Sequence, residues 1–161
     1  MRFLRPGILL FTCAWQIWAA PDPRQHNLCG NIARGDYTAV RQALQDRANP
    51  DTGDSFGRTP LTTAAATGNA ALLELLLTAG ADANKIDAYH RTALHEAAAR
   101  GYLNCVKTLL RHGANTELPD SHGHTALSLS RKHGHSELVR YLEHFRHAQK
   151  NCSSGFSPPK K

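Results

Sequence analysis

The strongest constraint on this chain is a pattern that returns every 33 residues. Thr59, Thr92 and Thr125 stand one period apart, as do Asp54, Asp87 and Asp120, and Gly68, Gly101 and Gly134. A period of this size comes from stacked copies of one supersecondary unit, each too small to bury its own apolar face. Such a stack makes extended surfaces by repetition rather than an enclosed catalytic pocket. The sequence therefore points to binding before it points to chemistry.

One unit can be followed residue by residue. Asp54-Ser55-Phe56-Gly57-Arg58 predicts a turn in which Gly57 takes positive φ. Thr59 suits an N-cap and Pro60 the first helical position. A short helix is predicted over Leu61 to Ala66, ending at Gly68, and a second over Ala70 to Thr78, with Gly80 as its left-handed terminator. The core columns follow from the period: Leu28, Leu61, Leu94, Leu127; then Val40, Leu73, Val106, Val139; then Ala43, Leu76, Leu109, Leu142. Leu73, Leu76 and Leu77 form one stripe at i, i+3, i+4. Ala64, Ala65, Ala97 and Ala98 are small enough for short helices to approach closely.

At these residues the chain resembles the ankyrin repeats. Thr59-Pro60-Leu61-Thr62 and Thr92-Ala93-Leu94-His95 match the family's helix start. Leu76-Leu77-Thr78-Ala79-Gly80-Ala81-Asp82-Ala83-Asn84 matches its second-helix ending, which recurs at Leu109 to Glu117 with Glu replacing the last Asn. An earlier, degenerate unit keeps Gly35, Val40, Leu44 and Ala48-Asn49-Pro50-Asp51. The resemblance implies an all-α solenoid of about four 33-residue helix-turn-helix units with short β-turn fingers. The units fall near 25–51, 52–84, 85–117 and 118–150, in one domain over 20–150. In the last unit Arg131, Glu143 and Arg146 replace alanine, leucine and glycine, as expected of a polar C-terminal cap. The missing glycine lets the last helix run towards Lys150, and 151–161 reads as a disordered tail.

Residues 1–19 read as a signal peptide. Arg2 and Arg5 precede the apolar run Ile8 to Ala20, and Ile17-Trp18-Ala19 offers a cleavage site before Ala20. An uncleaved anchor is the alternative, although the run is shorter than the about 20 residues of a membrane span. Export places the mature chain in a periplasm or outside the cell. Loss of Arg2 and Arg5 lowers the formal charge from +6 to +4. That excess favours an acidic partner and falls short of a nucleic-acid surface.

Three cysteines remain after cleavage. Cys105 sits beside core Val106 and reads as a small buried residue. Cys29 and Cys152 lie at opposite ends of the array, so they are candidates either for a disulfide formed by a folded-back tail or for reactive thiols.

Ten histidines raise a second reading. His95 and His135 occupy positions where the resemblance implies structural histidines, the first bracing turns, and His112 precedes the C-cap Gly113, where a cation or donor favours the helix end. His122, His124 and His133 fall on variable columns, and His144 and His147 stand at i, i+3 on the last helix. Imidazoles so spaced can bind zinc, copper or haem iron, which makes a metal or haem carrier the alternative function. The Cys/His spacings match no zinc-finger pattern, and no cofactor motif is present. No nucleophile elbow, phosphate-cradling loop or paired carboxylate is found, so no catalytic residue is assigned. Arg34-Gly35-Asp36 spells an adhesion tripeptide, but Gly35 is the inter-helix glycine of the first unit.

The resemblance implies binding through turn tips and the exposed side of the first helices. Those columns here are Phe56, Tyr89, His122; Arg58, Arg91, His124; and Arg100 and His133, with Lys132 beside them. An aromatic row next to a cationic row suits an interface anchor set. The expected function is protein–protein interaction by an exported ankyrin-repeat protein. The resemblance to exported bacterial ankyrin-repeat proteins implies one of two roles, support of an oxidative-stress enzyme such as catalase or neutralisation of a partner enzyme or toxin.

Overall fold

A computed structural model describes residues 28–153. Those residues form eight helices and no strand: α1 (Leu28–Arg34), α2 (Tyr37–Gln45), α3 (Pro60–Thr67), α4 (Ala70–Thr78), α5 (Ala93–Arg100), α6 (Leu103–Arg111), α7 (Ala126–Lys132) and α8 (Ser136–Ser153). The signal peptide and the tail from 154 onward lie outside the described residues. Helix α8 carries three residues of the expected tail, because no glycine terminates it where Gly80 and Gly113 follow α4 and α6.

Local chemistry sets each hairpin. Thr59 Oγ1 accepts from Thr62 N at 3.0 Å, Pro60 opens α3, and Gly68 closes it at φ +73°. Asn69 then caps α4 through Leu72 N. The first helices α1, α3, α5 and α7 pack in succession as one layer, and the second helices lie behind them. Ala64, Ala65, Ala97 and Ala98 are fully buried between the first helices. Of the three leucine and valine columns, all but Leu127 and Val139 are buried; those two belong to the last unit and are half-buried.

Two polar ladders tie unit to unit. In the fingers, Asp54, Asp87 and Asp120 each accept two backbone N–H bonds, from Phe56 and Arg58, Tyr89 and Arg91, and His122 and His124. Neighbouring fingers are joined by Ala88 N to Gly57 O at 3.1 Å and Ser121 N to Tyr89 O at 3.4 Å. Below the second helices, Asp82 N donates to Asp51 and Asn115 N donates to Asn84, at 3.1 and 2.7 Å. This second ladder explains why Glu117 replaces asparagine. In the last unit helix α8 runs on through the position that would be bonded next, and the Glu117 carboxylate instead pairs with Arg146 at 3.2 Å. Arg131 and Glu143, two other departures from the repeat, form an ion pair with each other. The C-terminal cap is thus a set of compensating charges.

Candidate interaction surface

The finger tips present the aromatic row. Phe56 is 72% and Tyr89 63% exposed. Between the third and last units the fold makes a groove of about 380 Å³ lined by Tyr89, Arg91, His122, His124, Lys132 and His133, with Asp120 and Leu129 at its base. Six of the nine residues selected from the sequence therefore meet in one place. Arg58 and Arg100 line a neighbouring groove of about 290 Å³ with Glu96 and Asp87. Phe56 lines neither groove and lies under its own unit's Arg58, whose guanidinium carbon is 5.4 Å from the ring centroid.

Most of the cationic row is already engaged within the chain. Arg58 directs Nε and Nη2 to Asp54 Oδ2 at 2.9 and 2.8 Å. Arg91 Nη1 pairs with Glu96 at 2.7 Å, and Arg100 reaches the same carboxylate at 3.5 Å. Arg91 Nε is buried without a hydrogen-bond partner. Glu96 was not singled out by sequence, since a lone acid in Leu94-His95-Glu96-Ala97 has no periodic signature. Lys132 has no ion-pair partner among the described residues, so it is the cation most available to an incoming carboxylate.

The groove floor is held from below by His95. Its Nδ1 accepts from Thr92 N at 3.1 Å and lies 2.9 Å from Thr92 Oγ1. Nε2 reaches the carbonyls of Leu118 and His124, at 3.0 and 3.1 Å. Those partners assign the proton to Nε2. Burial pushes His95 below its ordinary value, against an opposing pull from its carbonyl bonds. Asp120 lies beside it. Burial alone would raise the Asp120 carboxyl, but the backbone bonds from His124 and His122 outweigh it and hold the group low. The rings of His122 and His124 stand 6.1 Å apart above this base.

His112 and His135 each reach a neighbouring unit. His112 Nε2 contacts Glu74 at 3.2 Å, and His135 Nε2 donates to Ala99 O at 3.0 Å. Among the described residues no three of His, Cys, Asp and Glu gather as a metal-holding group. No described helix is long and apolar enough to cross a membrane.

Cys29 and Cys105 are free and buried. Burial raises the Cys29 thiol, and it pushes Cys105 up to about 11. Neither is a ready nucleophile at neutral pH, because the thiolate is the reactive form. The Cys29 Sγ faces the Arg58 carbonyl at 3.7 Å inside the first interface of the stack. The side chain of Cys152 lies outside the described residues.

A stack of helix hairpins with a side-chain groove between fingers defines a repeat module for protein binding. The family described as Ankyrin repeats (3 copies) matches residues 28–120 and 71–154. The chain belongs to the ankyrin-repeat family, whose members typically serve as non-enzymatic interaction modules. Comparison with curated proteins gives no match.

Proposed function

We propose that the mature chain is an exported adaptor that binds an acidic protein surface in the Tyr89–Lys132 groove. The observation carrying this reading is the convergence of Tyr89, Arg91, His122, His124, Lys132 and His133 on one concavity. Tyr89 supplies rigid apolar area with a polar tip, Lys132 supplies an unpaired cation, and the histidine rings supply further donors. Export rests on Arg2, Arg5 and the apolar run to Ala20.

The test is affinity capture from a periplasmic extract with wild-type bait and with a Tyr89→Ala, Lys132→Glu bait. A partner held by the wild type and lost by the variant supports the groove. A partner held equally by both overturns it. Mass spectrometry should find the mature N-terminus near Ala20; a chain retaining Met1 overturns cleavage and export. The finer role is read from the captured partner. Reduced catalase activity on deletion of the chain marks support of an oxidative-stress enzyme, and inhibition of a captured enzyme marks neutralisation.

A further inference from the structure

The two joints between neighbouring fingers are not equivalent, and they differ where one glycine of a column is missing. Gly57, His90 and Gly123 stand one period apart, all with positive φ, at +73°, +56° and +78°. Each finger closes its own turn alike, by Gly57 N to Asp54 O, His90 N to Asp87 O and Gly123 N to Asp120 O, at 2.9, 3.0 and 2.9 Å. Between fingers the pattern changes. Ala88 N donates to Gly57 O at 3.1 Å, whereas its repeat mate Ser121 N donates one residue earlier in the column, to Tyr89 O at 3.4 Å.

The space around Gly57 gives the reason. A Cβ there would lie 2.6 Å from the Ala88 Cβ, well inside the about 3.5–4.0 Å at which carbons pack. The close joint therefore requires glycine. His90 takes the same left-handed backbone with a Cβ in place, and Ser121 carries the same Cβ as Ala88, so the last finger cannot seat in that way. The grooves beside the two joints differ in the same sense. The one between the third and last units is lined by Tyr89 and His122, a tip residue from each finger. The groove holding Arg58 and Arg100 is lined by neither Phe56 nor Tyr89.

We infer that His90 is a positioning residue for the Tyr89–Lys132 groove: its side chain holds the last finger off the close joint and so opens the finger end of the groove to an acidic partner segment. The inference rests on the groove reading of function. His90 does not line the groove and is exposed, so its action falls to the β-carbon and the backbone rather than to the imidazole. Alanine at this position should serve as well as histidine, and glycine should not.

The test compares the full chain with His90→Gly and His90→Ala, by crystallography and by titration of backbone amide resonances with the synthetic peptide acetyl-Glu-Asp-Leu-Asp-Glu-amide. In His90→Gly, Ser121 N is expected to donate to the carbonyl of residue 90, as Ala88 N does to Gly57, and peptide affinity is expected to fall about fivefold. His90→Ala should keep both the wild-type joint and the wild-type affinity. A glycine variant that only gains stability, with Ser121 still bonded to Tyr89, overturns the proposal and leaves His90 as a strained turn residue. An alanine variant that closes like glycine overturns it too, as does a closed joint with undiminished affinity. Failure of the groove reading has its own signature, a peptide that shifts no amide of His122, His124 or Lys132 in any of the three chains. That result removes the role of His90 in binding, while the partner of Ser121 N still decides whether His90 spaces the fingers.

Discussion

Arg91 Nη1 lies 2.7 Å from Glu96 Oε1, and that contact decides which groove substitution reports on binding. Reversing Arg91 to glutamate would set two carboxylates against each other in a half-buried site, so a lost affinity would mix interface and fold effects. Tyr89 and Lys132 carry no such entanglement. Tyr89→Ala and Lys132→Glu are each expected to weaken partner binding by more than about 1 kcal/mol, as interface anchors do. Calorimetry with the captured partner measures this, and the Lys132 effect should grow at low salt. Arg111 is the control. It pairs with Glu74 at 3.1 Å on the face of the second helices, an exposed contact worth about 0–1 kcal/mol. Equal losses at Lys132 and Arg111 would move the interface elsewhere.

Arg47 adopts φ +62° at a position one period before Gly80 and two before Gly113, whose φ values are +94° and +82°. A side chain in that left-handed region costs about 1–2 kcal/mol, partly offset because glycine has more freedom to lose on folding. The prediction is that Arg47→Gly raises stability by about 0.5–1 kcal/mol in urea denaturation. An unchanged or lowered midpoint would show that the helix end tolerates arginine without strain.

Much of the architecture was legible because period and propensity agree. Thr59, Pro60, Gly68 and Gly80 each ask for the conformation the stack also requires, so helix limits for α3 and α4 follow from local chemistry. Leu127 and Val139 were less legible: their column predicts burial, but burial needs a following unit. The groove was legible only as columns of exposed residues. Which of them meet depends on how adjacent units pack, which brings Tyr89 and His133 to one groove and leaves Phe56 apart. Glu96 and Arg47 were missed for one reason. The Glu96 column has no recurring residue and Arg47 shares its glycine column with Arg146, and the consequence, an ion pair or a left-handed backbone, exists only in three dimensions.

Leu109 is fully buried and shares its column with Leu76 and Leu142, so Leu109→Ala removes apolar contact at the joint between units. The expected cost is about 2–5 kcal/mol. Because each unit is held chiefly by its neighbours, thermal unfolding should also lose cooperativity. Glu143→Ala removes only the exposed partner of Arg131 and should shift stability by less than about 1 kcal/mol. A larger effect at Glu143 than at Leu109 would mean that the units stack in another register.

The pH dependence of stability should carry the mark of His95. In the fold its Nδ1 accepts the Thr92 N–H, so a second proton there would face a donor and lose a bond. Its folded value is depressed from the ordinary 6.5, by burial first. Between that depressed value and 6.5 the unfolded chain binds more protons than the folded one. Stability from this group is therefore complete above about pH 6.5 and falls as the pH is lowered towards the folded value. Asp54 and Asp120 act further down: both are lowered from 3.8, so their contribution is present above that value and is lost as the pH falls through their folded values. Melting temperatures should accordingly decline in two stages on acidification. His95→Gln should cost about 1–3 kcal/mol at pH 7.5, because the Leu118 and His124 carbonyls lose their shared donor. The same variant should remove the upper stage and keep the lower one. An upper stage that persists unchanged in His95→Gln would assign it to other groups and would remove His95 as the titrating support of the groove floor.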